Sequence, residues 1–356
     1  MTKRVDGPLI LTELDPTHDP RWDEFVSVHP SATVYHHSAW TRVLAETYGH
    51  RPLFVGLLSA DGKELKGVLP LIYVKSVLTG RRLVSLPFTA YSNPMLPEEY
   101  WDAAVGFAKQ RYPEAKYVEF RMIRPLGAPA ETEPAGANTP FVCSILSLQG
   151  SLEDILRSFH PSCIQRQIRR AEKAGLIFRV ADREEDVRRL YWLFVSMRRR
   201  EGLPCPAYKF FASMHRSLTP HNLYQLAVVE HEREVLAAAL MLKSKSTWHI
   251  EYNASHPDLP LKGANQLLMW KLITQAHAAG IGYFDFGRTA LWQESLLVYK
   301  ERWQAARYPI RLRVFPEPAE PPKWSMRSRH VLLRVNRKLP AVFLKWAGPI
   351  IYPHRD

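Results

Sequence analysis

The chain is poor in cysteine. Cys143, Cys163 and Cys205 are the only three in 356 residues; they lie far apart and form no CxxC pair. That pattern excludes a disulfide framework and a thiolate zinc site, and it predicts a reducing compartment. Long apolar runs are missing too, since no stretch reaches the roughly 18 residues that would cross a bilayer. The opening MTKRVDGPLILTELDP has basic residues but no apolar core of roughly 7–15 residues, so it does not read as a secretion signal. No G-x-S-x-G elbow or Cys–His pairing announces a covalent nucleophile, and no metal-ligand spacing occurs. Acidic charge is also in short supply: 48 Lys+Arg stand against 35 Asp+Glu, a net charge of +13. An excess of that size predicts a polyanionic partner such as RNA, a phosphorylated substrate or an anionic membrane surface, unless the protein is simply soluble and basic.

What is present suffices for cores. Apolar residues make up 46% of the chain and charged residues 23%, an ordinary globular balance, and the length suggests two domains of about 150 residues. An internal repeat supports that division. LFVGLLSADGKELKGVLPLIYV (53–74) and LYQLAVVEHEREVLAAALMLKS (223–244) superpose without gaps, each an apolar run, a charged turn and a second apolar run, as in an antiparallel hairpin. A helix precedes each: HHSAWTRVLAETYG, with Trp40, Val43, Leu44 and Tyr48 at helical spacing, and AYKFFASMHRSL, with Phe210, Phe211 and Met214. Each hairpin is followed by a helix (EEYWDAAVGFAKQRYP, NQLLMWKLITQAHAAG) and then a strand (KYVEFRM, GYFDFGR). Helix, hairpin, helix, strand in one order, twice, predicts two copies of one α/β (α+β) unit, each a mixed, largely antiparallel sheet flanked by helices.

Three segments lie outside the repeat. In FHPSCIQRQIRRAEKAGLIFRVA (159–181), Ile164, Ile168, Ala171 and Leu176 make an apolar stripe and Arg166, Arg169, Arg170 and Lys173 a cationic face, either solvated or ligand-binding. Gly175 would cap this helix, and LIFRVA would open the second copy. PLGAPAETEPAGANTP (125–140) reads as a loop. Beyond the proline-rich break PEPAEPPKW, Val331, Leu332, Val335 and Leu339 form a stripe among arginines and lysines. That basic amphipathic helical tail would either lie on an anionic bilayer or dock on the protein body. The expected boundaries are 1–145 for the first unit, 146–175 for the basic connecting helix, 176–318 for the second unit and 319–356 for the tail.

The set YHHSAWTRVLAETYGHRP, GVLPLIYVKSVLTGRRLVSLPF, IQRQIRRAEKAGL, NQLLMW, YFDFGR, LLVYKERW and RKLPAVFLKWAGPIIYP covers nearly the whole chain in order. It resembles the FemAB-like branch of the GNAT superfamily, and more closely the BioF2-like acetyltransferase-domain proteins associated with exosortase or exopolysaccharide loci. The resemblance implies tandem GNAT-like units and transfer of an acyl or aminoacyl group to an amine. Fem-type enzymes take aminoacyl-tRNA as donor and a peptidoglycan precursor as acceptor, held through its phosphates by basic residues; other GNAT enzymes take acyl-CoA. No tightly bound cofactor and no metal are expected, only acyl-CoA or aminoacyl-tRNA as co-substrate. The expected setting is cytoplasmic, with peripheral contact at the inner face of the membrane through residues 323–356. GNAT acyl-CoA sites resemble an R/Q-x-x-G-x-G/A loop at a helix N-terminus. The nearest equivalent here is Lys262, Gly263, Ala264 and Asn265 in LKGANQLL, which lacks the full spacing.

Acyl transfer to an amine needs a deprotonated amine, a stabilised oxyanion and a placed leaving group, but no covalent enzyme intermediate. By the resemblance, Lys300 in VYKERW matches the lysine of the Fem-type FK segment and would meet donor phosphate or developing negative charge. Arg288 at the end of DFGR could hold a phosphate or carboxylate bidentately, with Asp285 as its ion-pair partner or as a base. Arg302 could bind a nucleotide or finish the core. Strict alternation in TWHIEYN would put Trp248, Ile250 and Tyr252 on one side and His249, Glu251 and Asn253 on the other, making His249 and Glu251 general-base candidates and Tyr252 a substrate contact. In the first copy, Tyr91 and Ser92 would meet the acceptor, with Tyr35 and Trp40 walling the pocket, and Arg166 and Arg170 would bind anionic substrate. The reading from another class is a non-catalytic basic protein that holds RNA or an anionic membrane.

Overall fold

A computed structural model of the chain describes residues 9–76, 80–128, 139–181, 183–256 and 263–316. Lys262, most of the 125–140 loop and the C-terminal tail lie outside these residues. The chain forms two compact units, divided at 139/140 and again at 308/309.

The first unit contains β1 (Ile10–Glu13), α1 (Arg21–Val28), α2 (Ser38–Tyr48), β2 (Arg51–Leu58), β3 (Leu65–Ser76), β4 (Gly80–Val84), α3 (Trp101–Arg111) and β5 (Val118–Met122). The second contains β6 (Phe141–Ser147), α4 (Leu152–Ser158), α5 (Arg166–Lys173), β7 (Ile177–Ala181), α6 (Glu184–Glu201) and α7 (Tyr208–Leu218). It continues with β8 (Tyr224–His231), β9 (Glu234–Lys243), β10 (Thr247–Ser255), α8 (Ala264–Ala278), β11 (Tyr283–Ala290), α9 (Glu294–Glu301) and β12 (Ala306–Pro309). A last strand, β13 (Arg311–Phe315), completes the first unit's sheet, whose order is β1-β2-β3-β4-β5-β13. The second sheet runs β12-β6-β11-β10-β9-β8-β7. Both are mixed and largely antiparallel with helical cover, as the repeat predicts.

Local chemistry explains the shared elements. Both predicted hairpins form, β2 against β3 and β8 against β9. Helix α2 starts where the His37 ring accepts from the Ala39 N–H and stops at Gly49, whose φ of 67° suits a residue without Cβ. It buries Trp40, Val43 and Leu44, as α7 buries Phe210, Phe211 and Met214. The stripe of the basic segment is buried as well, at Ile164, Ile168, Ala171 and Leu176, while Arg166, Arg169, Arg170 and Lys173 stay exposed. Two parts of one sheet thus differ in what covers them: α5 and α8 share a core with Trp248, Ile250, Phe284 and Phe286, and Tyr252 packs instead with Phe194 of α6 and Phe211 of α7.

The expected strict alternation along β10 fails for one reason. The register with β9 shifts between Ile250 and Tyr252, inserting Glu251 as an extra residue, a β-bulge. Beyond it the faces exchange: Tyr252 joins the α6/α7 aromatics, and Asn253 turns to α8, where its Nδ2 donates to Asn265 Oδ1 over 2.8 Å.

Gly263 precedes α8 at φ 96°, and a Cβ there would lie 2.3 Å from the Gln167 carbonyl oxygen of α5. Left-handed backbone and lack of space both demand glycine. Gly263→Ala is therefore expected to lower stability by about 2 kcal/mol or more, read by urea unfolding; an unchanged midpoint would show that α5 and α8 do not meet this closely.

Candidate active site

In the second unit the parallel pair β10–β11 holds for only three steps, Thr247↔Tyr283, Trp248↔Phe284 and His249↔Asp285. Among the described residues the strands then part: β10 runs on along β9 to Ser255, and β11 along β6 to Ala290. Each strand carries a bulge at this fork, β10 at Glu251 and β11 between Asp285 and Arg288. Bulges re-aim side chains and end pairing, and they are frequent beside active sites.

A compact charged cluster sits at the fork. Asp285 is fully buried. Its Oδ2 accepts from His249 Nδ1 over 2.9 Å, and its Oδ1 accepts from the Gly287 N–H over 2.7 Å. The other ring nitrogen of His249 lies 3.2 Å from Glu251 Oε2. Lys300, 6% exposed, donates from Nζ to the Gly287 carbonyl over 2.6 Å. Gly287 has φ 80°, and a Cβ there would meet the Ile250 carbonyl oxygen at 3.0 Å, so the glycine of DFGR is what lets the two strands come this close before separating.

The cluster sets its own protonation. Burial alone would lower the His249 pKa, but the charge and hydrogen bond of Asp285, with Glu251 opposite, overcome it and raise it to about 9. The ring is therefore an imidazolium at neutral pH and cannot serve as a general base. Burial lowers Lys300 to about 8, with Asp285 resisting. Asp285 does not pair with Arg288. Arg288 is exposed, with its guanidinium 5.0 Å from the centre of the Phe141 ring.

One residue at the fork escaped the sequence reading. Tyr299, beside Lys300, accepts through Oη from Asn265 Nδ2 over 2.9 Å. With the Asn253–Asn265 bond, this joins β10 just past the fork to the first turn of α8 and to α9. Burial pushes the Tyr299 pKa up to about 12, keeping the hydroxyl protonated. The YK dipeptide was the available signal; only the packing of α9 distinguishes the tyrosine from a core aromatic. Ala264 and Asn265 form the first turn of the 15-residue α8, whose N–H groups favour an anion. Arg302 is half-buried, and its carbonyl accepts from the His160 N–H over 2.9 Å.

The candidates of the first unit are packed within it. Tyr35 and Trp40 are buried edge to face with centroids 5.0 Å apart. Tyr91 and Ser92 are buried, with Ser92 Oγ 3.1 Å from His36 Nε2. Here too a parallel pair is short, ending at Val84↔Glu119, but the following segment fills the gap. Ser85 N donates to Glu119 O and Ser92 N to Arg121 O, each over 2.8 Å. The filling holds Leu86 and Phe88 at φ 55° and 65°, positions costly for side chains of this size. Glu119, at the place Asp285 holds, is neutralised by Arg121 at 2.8 Å on its own strand.

Comparison with known proteins bears on the fold that carries this cluster. Residues 162–305 match the acetyltransferase (GNAT) domain family. No match occurs among curated proteins. Among solved structures the chain is similar to FemX, with TM-score 0.66 and 14% identity over 84% of this chain and 95% of that one. It is also similar to the C-terminal domain of a putative lysylphosphatidylglycerol synthetase from Agrobacterium fabrum (TM-score 0.51, 15% identity, 83% and 90% covered). A third is a tandem GNAT protein from the clavulanic acid biosynthesis pathway (TM-score 0.51, 11% identity, 88% and 100% covered). Residues 162–305 of the second unit thus match a GNAT acetyltransferase domain, and the chain as a whole has a fold similar to those of FemX and the tandem GNAT protein.

Linkage gives a test of the cluster. The His249 pKa is raised from 6.5 to about 9 on folding, so its stabilisation is complete below pH 6.5 and is lost as pH rises through 9. Lys300, lowered from 10.5 to about 8, opposes this only above pH 8. Unfolding free energy is expected to fall by roughly 1–3 kcal/mol between pH 6.5 and 9, and His249→Gln should flatten that fall. An equally steep fall in the variant would place the titration elsewhere.

Proposed function

We propose that the protein is an N-acyl or N-aminoacyl transferase that moves an acyl group from an activated donor to an amine of a cell-envelope acceptor, by direct attack at the fork between β10 and β11. The observation that carries this is the cluster of buried Asp285 and Lys300 with half-buried His249 and Glu251 where two parallel strands part inside a GNAT domain. The amine nitrogen attacks the donor carbonyl, a C–N bond forms, and the tetrahedral intermediate expels a thiolate or alkoxide. Lys300 supplies positive charge for the developing oxyanion and fixes the β11 bulge through Gly287. His249, kept protonated, leaves the base role to Glu251, which takes the amine proton. Tyr299, held protonated by burial, returns a proton to the leaving group.

The donor is polyanionic in this reading, acyl-CoA or aminoacyl-tRNA. The exposed Arg166 directly precedes Gln167, whose carbonyl meets Gly263, and the exposed Arg170 follows it by about one helical turn, so cationic charge stands near the first turn of α8. Support for aminoacyl-tRNA comes from the net charge of +13 and from the likeness to the C-terminal domain of a putative lysylphosphatidylglycerol synthetase. The likeness to the tandem GNAT protein, solved without AcCoA, supports CoA. Arg288 is assigned to an anionic group of donor or acceptor, and Tyr91 and Ser92 to the scaffold of the first unit. A peripheral membrane role belongs to the same proposal. Among the described residues no helix is long and apolar enough to cross a membrane, and no His, Cys, Asp and Glu group could hold a metal.

Thermal-shift measurements with acetyl-CoA and with an aminoacyl-tRNA mimic should separate the donors, a strongly salt-dependent shift pointing to the nucleic acid. With the productive donor, Lys300→Met and Tyr299→Phe are each expected to lower kcat about 100-fold while the protein stays folded. Wild-type turnover in both variants would remove the fork from the chemistry, and binding without any transfer would favour a non-catalytic basic protein.

A further inference from the structure

At the edge of the second sheet, away from the fork cluster, two adjoining grooves of about 460 and 400 Å³ share Arg189 and Arg233 as lining residues. The first is also lined by Arg179 and Arg183, the second by Trp192 and His256. Their cations are not equivalent. Arg179 is committed to Asp186 by a bidentate pair at 2.9 and 3.0 Å and to Glu230 at 3.3 Å. Arg189 holds Glu185 at 2.6 Å, which neutralises one of the lining carboxylates. The side chains of Arg183 and Arg233 are exposed and make no hydrogen bond or ion pair among the described residues.

Arg233 is held at a cost. It forms with Glu232 the two-residue turn between β8 and β9, and both sit at positive φ, 50° and 68°. That geometry suits Asn-Gly, and a bulky side chain there strains the backbone. Strain of this kind clusters at ligand clamps, and here it delivers a guanidinium into the wall common to both grooves. On the other side, Trp192 is 53% exposed, its ring centroid 5.5 Å from that of His256. A large aromatic face left in water beside an arginine-lined groove is the arrangement that accepts a planar base next to its phosphate.

We propose that this groove binds a nucleotide unit, its phosphate between Arg183, Arg189 and Arg233 and its base against Trp192. The unit comes either from a free mononucleotide or from a single-stranded RNA segment. The site stands whether or not the fork catalyses acyl transfer, because none of its residues belongs to that cluster.

The test uses the full chain, Trp192 fluorescence and competition among UMP, ATP, a labelled ten-nucleotide single-stranded RNA and inorganic phosphate. Nucleotide or RNA is expected to quench Trp192. Arg183→Ala and Arg233→Gly should each weaken binding about tenfold or more, with Arg233→Gly no less stable than the wild type because it relieves the turn. Trp192→Leu should bring nucleotide affinity down to that of inorganic phosphate. Binding of RNA alone would assign a strand, and binding of mononucleotides as well a free nucleotide. Unchanged affinity in Arg233→Gly, phosphate competing as well as UMP in the wild type, or no binding of any nucleotide would overturn the proposal.

Discussion

Asp285 is the interaction on which the second unit's geometry depends. A carboxylate with no exposure to solvent is costly unless every lone pair is met. Here one oxygen is met by the His249 ring from the neighbouring strand and the other by the Gly287 N–H two residues along. The first bond ties β10 to β11 at their last paired step; the second folds β11 into its bulge. Lys300 then reaches the carbonyl of the same glycine, so α9 is locked to the bulge. Charge balance, strand separation and helix position all follow from one side chain.

The two units show what duplication does with such a fork. In the first, the acid at the corresponding place, Glu119, is answered within its own strand, and the chain after β4 is threaded into the gap with Leu86 and Phe88 in strained backbone. In the second, a bulge on each strand carries the strands apart, and polar side chains from β10, α8 and α9 gather there instead. The chemistry-bearing residues are thus asymmetric on a repeated frame, consistent with a GNAT domain match confined to residues 162–305.

Much of this was legible from residues alone. Hairpins, flanking helices and the closing strands of both copies announce themselves by periodicity, because each buries one regular face. Asp285, Lys300, His249 and Glu251 could be singled out as polar groups on apolar elements. Their partnerships could not. The sequence suggests Asp285 with Arg288, its near neighbour, whereas the sheet brings His249 from another strand and turns Arg288 to Phe141. The β10 bulge was invisible because Trp-His-Ile-Glu-Tyr-Asn fits perfect alternation; only the register with β9 shows that Glu251 is an insertion and that Tyr252 and Asn253 exchange faces. Tyr299 went unnoticed for the same kind of reason, since its hydroxyl partner lies 34 residues away. The sequence offers Gly263 only as part of an anion site, and packing against α5 gives it a steric role that sequence does not carry.

The central claim is that acyl transfer occurs at the fork of the second unit. Hydrogen exchange, with and without a saturating non-transferable donor analogue, tests it most directly. Slower exchange is expected in residues 250–256, in the first turn of α8 and in residues 287–290, with the segment 85–93 of the first unit unaffected. Protection confined to residues 85–93, with the fork exchanging as in the free protein, would contradict the account.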